Sequence, residues 1–219
     1  MASISIIAIH GSHLQNASQL FSICEYIDNG QNKSFKSFDE AAHYLYSNYF
    51  ELTKEHISVR GIWHDNGWTV ICDPEMVDQG NAEHMQKIAE YTNAPVWTFL
   101  IQTNSGSYEF AKYSPTKVRH FFLFEELINE GTPVPEETGL NINENTFMDD
   151  LVMLAKNLGI NIPPPAQGEY IVKHLEYNDA RKVRLAPFRQ PVKQTKAPEK
   201  KQPIENNQPT GSKPWWKIW

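Results

Sequence analysis

His56–Asp73 reads HISVRGIWHDNGWTVICD, and this stretch decides the fold. Its centre is Asn66-Gly67. A two-residue hairpin turn of type I′ needs positive φ at both positions, and Asn followed by Gly tolerates this best. Val59, Trp63, Trp68 and Val70 flank the turn and favour extended backbone. The stretch therefore predicts two antiparallel strands joined by a tight turn.

Working outward, the same grammar repeats. Upstream, SFDEAAHYLYSNYFEL predicts a helix. Ser37 and Glu40 form a capping-box pattern, and Phe38, Ala41, Ala42, Leu45 and Tyr49 share one face. Before it, SISIIAIH (3–10) predicts a buried strand. It is too short for a membrane span and lacks the basic flank of a signal peptide. Downstream, NAEHMQKIAEYTN predicts a second helix with Met85, Ile88 and Ala89 inward, stopped at Asn93. PVWTFLIQT, SYEFAKY and KVRHFFLFEE predict a three-strand meander. ENTFMDDLVMLAKNLG predicts a third helix, with Phe147, Leu151, Leu154 and Leu158 at helical spacing and Gly159 as its stop. EYIVKHLEY (169–177) adds a last strand. The two helix-then-hairpin units suggest a loose duplication. Antiparallel hairpins with about three interspersed helices place the chain in the α+β class.

Charge divides the chain in two. Residues 1–177 hold 10 Lys/Arg against 23 Asp/Glu, a net −13; residues 178–219 hold 10 against 3, a net +7. An acidic globular domain (1–177) is thus expected to carry a basic, proline-rich disordered linker (178–214). The chain then reads GSKPWWKIW, with three of its six tryptophans among residues 215–219. Trp215, Trp216, Lys217, Ile218 and Trp219 have no core to join at the end of a polar tether. They read as a docking peptide for a partner protein, since Trp dominates binding hot spots. Contact with an anionic membrane surface and folding back on the acidic body are the other two receivers. The acidic body disfavours nucleic acid.

No strong catalytic motif is present: the chain lacks GxSxG, a Walker A loop, GxGxxG and CxxC. His10 and His13 form an HxxH pair without an evident third ligand, so no metal is expected. Asp73, Glu75 and Asp78 cluster after the hairpin, and Glu136-Glu137 and Asp149-Asp150 form two further pairs; all read as solvated acids. Cys24 and Cys72 have no neighbour that would activate them and read as buried thiols of a reducing cytosol. The meander aromatics read as core, not as a stacking platform for nucleic acid. The alternative of a hydrolase-type enzyme requires distant residues, drawn from His10, His13, His64, Asp65, Asp73 and Glu75, to converge in one cleft.

GWTVICDPEM, VWTFLIQTNSGSYEFAKY and TPVPEETGL, within about residues 61–160, together resemble small bacterial α+β proteins of the immunity or antitoxin type. The resemblance implies an acidic, non-enzymatic binder without cofactor, engaging a basic protein partner. It does not cover the basic, tryptophan-ended segment. The expectation is a bacterial cytoplasmic binding protein, with a peripheral membrane adaptor as a further alternative.

Overall fold

The computed structural model describes residues 3–115 and 117–185. They build an α+β fold on one antiparallel sheet. The strands are β1 (Ser3–His10), β2 (Tyr26–Ser37), β3 (Ile57–Asp65), β4 (Trp68–Cys72), β5 (Val96–Gln102), β6 (Ser107–Ser114), β7 (Lys117–Leu123), β8 (Leu127–Glu130) and β9 (Gln167–Tyr177). The helices are α1 (Ala17–Ile23), α2 (Phe38–Lys54), α3 (Ala82–Thr92), α4 (Met148–Asn157) and α5 (Asp179–Leu185). The sheet order is β2-β9-β3-β4-β1-β5-β6-β7-β8.

The Asn-Gly hairpin forms as the sequence predicts. Asn66 and Gly67 have φ of 47° and 83°, and Asp65 pairs with Trp68 to close the turn. β1 lies at the centre, between β4 and β5. Its residues are buried alternately on both faces: Ile4, Ile6 and Ala8 enter one core, Ile7 and Ile9 the other. Helices cover each side. α2 and α4 pack on the first core through Leu45, Leu151 and Leu154. α1 and α3 pack on the second through Leu20, Phe21, Met85 and Ile88. The helices of the two helix-then-hairpin units thus lie on opposite faces of the sheet.

Local signals act where expected. Ser37 caps α2 by accepting the Glu40 N–H at 3.3 Å, and Asn93 ends α3 in the left-handed region at φ 48°. Gly61 has a packing reason: a Cβ there would meet Leu45 Cδ1 at 3.0 Å, so its absence lets α2 sit close on β3. Trp97, Phe99, Phe110 and Phe121 are buried, and Trp97 stacks on Phe99 and Phe110, so these rings of the meander are core.

The structure also corrects the sequence reading. The described residues hold five α-helices and not three, and the sheet is larger than the hairpins and meander alone. The polar stretch YIDNGQNKSFKS is the edge strand β2, and the last strand, β9, lies between it and β3. Phe147 precedes α4 and is exposed, because Asp150 caps that helix through the Phe147 N–H at 3.0 Å. The linker expected from residue 178 gives way at its start to α5, whose Arg181 is buried in the body. The docking peptide Trp215, Trp216, Lys217, Ile218 and Trp219 lies outside the described residues, as does the linker from residue 186 onward. Among the described residues no helix is long and apolar enough to cross a membrane.

Trp97 is 1% exposed within the first core. Trp97→Ala is expected to lower stability by about 3–5 kcal/mol through lost burial and a residual cavity. Urea denaturation checks this as a lowered midpoint at unchanged slope.

Candidate functional site

Strand alternation turns Val59, Gly61 and Trp63 of β3 toward the first core, and so turns Arg60 toward the second. No part of Arg60 is exposed. A buried guanidinium must find acceptors for its donors. Its three nitrogens reach five oxygens. Nε donates to Asp78 Oδ2 at 2.7 Å. Nη1 donates to Glu75 Oε1 at 2.8 Å and to the Val59 carbonyl at 2.8 Å. Nη2 meets Asp73 Oδ1 at 3.2 Å and the Tyr26 hydroxyl.

The loop after β4 delivers those carboxylates. Asp73 Oδ1 accepts the Glu75 N–H at 2.9 Å, and its Oδ2 accepts those of Val77 and Asp78 at 2.7 and 2.8 Å. These bonds roll the chain back on itself, with Met76 at φ 56°, so that Glu75 and Asp78 return to Arg60. From the other side α5 inserts Arg181. Its Nη1 donates to Asp78 Oδ1 and to the Cys24 carbonyl, each at 3.1 Å. Its guanidinium lies 4.1 Å from the centre of the Tyr26 ring and 5.1 Å from that of Tyr177, within cation–π range.

Two arginines thus face three carboxylates in a nearly dry site. Burial by itself raises the pKa of Asp78, but Arg60 and then Arg181 outweigh it and hold that carboxyl below its ordinary value. Burial pushes Asp73 up to about 6 against the pull of Arg60. Burial also raises the Tyr26 hydroxyl and the Cys24 thiol, which stay protonated.

A cavity of about 670 Å³ opens beside this network, walled by the 75–82 loop, the first turn of α3, the end of β9 and α5. A second cleft, of about 480 Å³, lies between α3 and the outer strands. There Glu83, Glu109 and Glu130 line the wall with His120, Tyr113 and Val118. Glu109 Oε1 lies 3.1 Å from His120 Nε2, and burial, with Glu109 beside it, raises Tyr113 to about 12. Register puts Glu109, His120 and Glu130 on the same sheet face, which β7 and β8 leave outside the second core.

The predicted site residues separate. His13 turns a ring nitrogen to the His10 carbonyl at 2.9 Å, and His10 stands edge-on to Trp68. No group of three metal-ligating side chains occurs among the described residues. Asp65 accepts from Asn161 at 2.6 Å. Of the residues proposed for a hydrolytic cleft, Glu75 lines the 670 Å³ cavity, while His10 lines a different one beside Trp68. Cys24 and Cys72 are buried free thiols, and burial pushes Cys72 up to about 12.

Two of the three acidic clusters correct the solvated reading, while Asp149 is exposed as expected. Asp73 and Asp78 are buried ion-pair partners. Glu137 is buried too, gripping Arg119 at 2.9 and 2.8 Å. No local motif marks Arg60, Arg181, Tyr26 or Tyr177 as a site residue. The usable signal was an arginine among the apolar residues of a strand, followed by three closely spaced acids.

No family model, no curated protein and no solved structure matches this chain.

Arg60→Met is expected to cost about 3–5 kcal/mol near neutral pH, because the carboxylates remain buried without their main partner. The pH dependence has a definite sign. In the native protein the depressed Asp78 pKa contributes stability above its unfolded value, and this is lost as pH falls through the folded one. Without Arg60 burial dominates and raises that pKa, so protonation relieves the variant. The gap between the two proteins should therefore narrow from about pH 7 to about pH 4.5, as read by urea denaturation at each pH.

Proposed function

We propose that this protein acts by binding a basic protein partner, performing no chemistry of its own. The supporting observation is the acid-lined open face of β6, β7 and β8. Glu83, Glu109 and Glu130 line its cleft, where among the described residues no Lys or Arg joins the wall, though Lys87 pairs with Glu83 beside it. Val118 is half exposed there, and Phe122 and Ile128 share the face, so acidic groups rim an apolar surface. That combination suits a partner presenting Lys or Arg around an apolar anchor.

The charge of the whole body points the same way. Residues 1–185 carry 13 Lys/Arg against 24 Asp/Glu. Arg60, Arg119 and Arg181 are buried against Asp73, Asp78 and Glu137, so 10 basic groups face 21 acidic ones over the rest. Such a field speeds encounter with a cationic partner. In this proposal Trp215, Trp216 and Trp219 add a second, tethered contact, whose gain is effective concentration. The setting proposed is a bacterial cytoplasm.

The test combines cross-linking in the native cell with capture by purified variants. Glu83→Lys with Glu130→Lys changes two exposed positions and should leave the unfolding free energy from urea denaturation within about 0.5 kcal/mol of wild type. It is expected to slow association with the cross-linked basic partner about tenfold or more, most at low salt. Changing Trp215, Trp216 and Trp219 to Ala should raise the dissociation rate. An unaltered association rate in the charge-reversed variant would remove this face from the account.

A further inference from the structure

The 670 Å³ cavity adjoins the acidic cleft, sharing Gly80 and Ala82 with it, and has the opposite polarity of unmet need. Two acidic residues, Glu75 and Asp78, line it, yet their oxygens are already engaged. Asp78 accepts from Arg60, Arg181 and Tyr26. Glu75 accepts from Ser58, Arg60 and Tyr177. The wall therefore has few acceptors left to offer a ligand.

Donors remain. Arg184, one turn beyond Arg181, is about half exposed, and its Nη2 forms an ion pair with Glu25 at 2.7 Å. Arg181 is 4% exposed, and its Nε has no partner among the described residues. His84 is 5% exposed, and its Nδ1 likewise has none. Asn81 and Ala82 bring the start of α3 to the same wall. Asn81 caps the His84 N–H with its side chain and the Met85 N–H with its carbonyl. The N–H groups of Ala82 and Glu83 have no carbonyl one turn back, and the helix dipole favours negative charge there. Val77, Leu185 and the ring of Tyr177 give the wall its apolar part, with Thr53 beside them. The volume is that of a small-molecule site.

We propose that this cavity binds a small organic oxyanion, a carboxylate or phosphate on an apolar body, with the oxyanion held between Arg184 and the first turn of α3. The apolar body lies against Val77 and Leu185. Glu25 lies against Arg184 and gives way to the ligand.

The experiment is an NMR titration of the full chain with phenyl phosphate, phenylacetate, inorganic phosphate and benzyl alcohol. The expected result is saturable shifts at the amides of Ala82, Glu83 and Arg184 with phenyl phosphate or phenylacetate. Which of the two binds tighter identifies the headgroup. Inorganic phosphate should bind more weakly, and benzyl alcohol should leave those amides unmoved. Arg184→Gln should weaken the better probe about tenfold or more, the worth of a charged hydrogen-bonded pair. Glu25→Gln should tighten it by freeing Arg184, whereas Glu51→Gln, on the exposed face of α2, should change nothing. The proposal is overturned if neither aromatic anion gives saturable shifts, if the shifts lie elsewhere, or if Glu51→Gln tightens binding as much as Glu25→Gln.

Discussion

The fully buried guanidinium of Arg60 is the constraint on which this architecture depends. A guanidinium cannot shed its charge in a protein, so the fold must answer it with acceptors. Five oxygens do so, from β2, β3 and the 73–78 loop. Each tie is also a positional constraint. Asp78 cannot reach Arg60 unless the loop is rolled by Asp73, and that roll sets where α3 begins. Tyr26 cannot reach it unless β2 lies two strands away with β9 between. A buried pair network of this kind adds little net stability over apolar packing of the same volume. Its contribution here is to fix where the loop, the edge strand and α5 sit.

The same network accounts for the last described helix. α5 is seven residues long, too short to hold a helix alone. It is retained because Arg181 shares Asp78 with Arg60 and lies over the Tyr26 and Tyr177 rings. Two guanidinium groups can approach one carboxylate so closely because Asp73 and Glu75 supply the balancing charge. The net charge of these five groups is −1, which Arg184 and Glu25 together leave unchanged.

Much of the sheet was legible because its information is local. Asn66-Gly67 fixes a turn within four residues, and Ser37 with Glu40 fixes a helix start within four. The reading failed where a segment takes its structure from partners distant in sequence. β2 is polar and exposed along most of its length and becomes a strand by pairing with β9, about 140 residues later in the chain. The sites failed for the same reason. A stretch such as DPEMVD looks solvated by composition, and only the inward parity of Arg60 makes it core. An arginine at an apolar parity position asks for acids elsewhere in the chain, and that demand can be read from sequence even though its location cannot.

Charge burial finally explains why one molecule presents two surfaces of opposite need. Arg60 with Arg181, and Arg119 with Glu137, consume most of the body's arginines internally. Apart from Glu25, which meets Arg184, the acids outside these networks have no guanidinium partner among the described residues, and Glu83, Glu109 and Glu130 gather at the outer strands as an acceptor-rich face. Beside the network the reverse holds, because the acids there are saturated and the surplus is of donors: Arg184, the Arg181 Nε and the start of α3. An acidic protein thus carries a donor-rich hollow, and the separation follows from where its few arginines are buried.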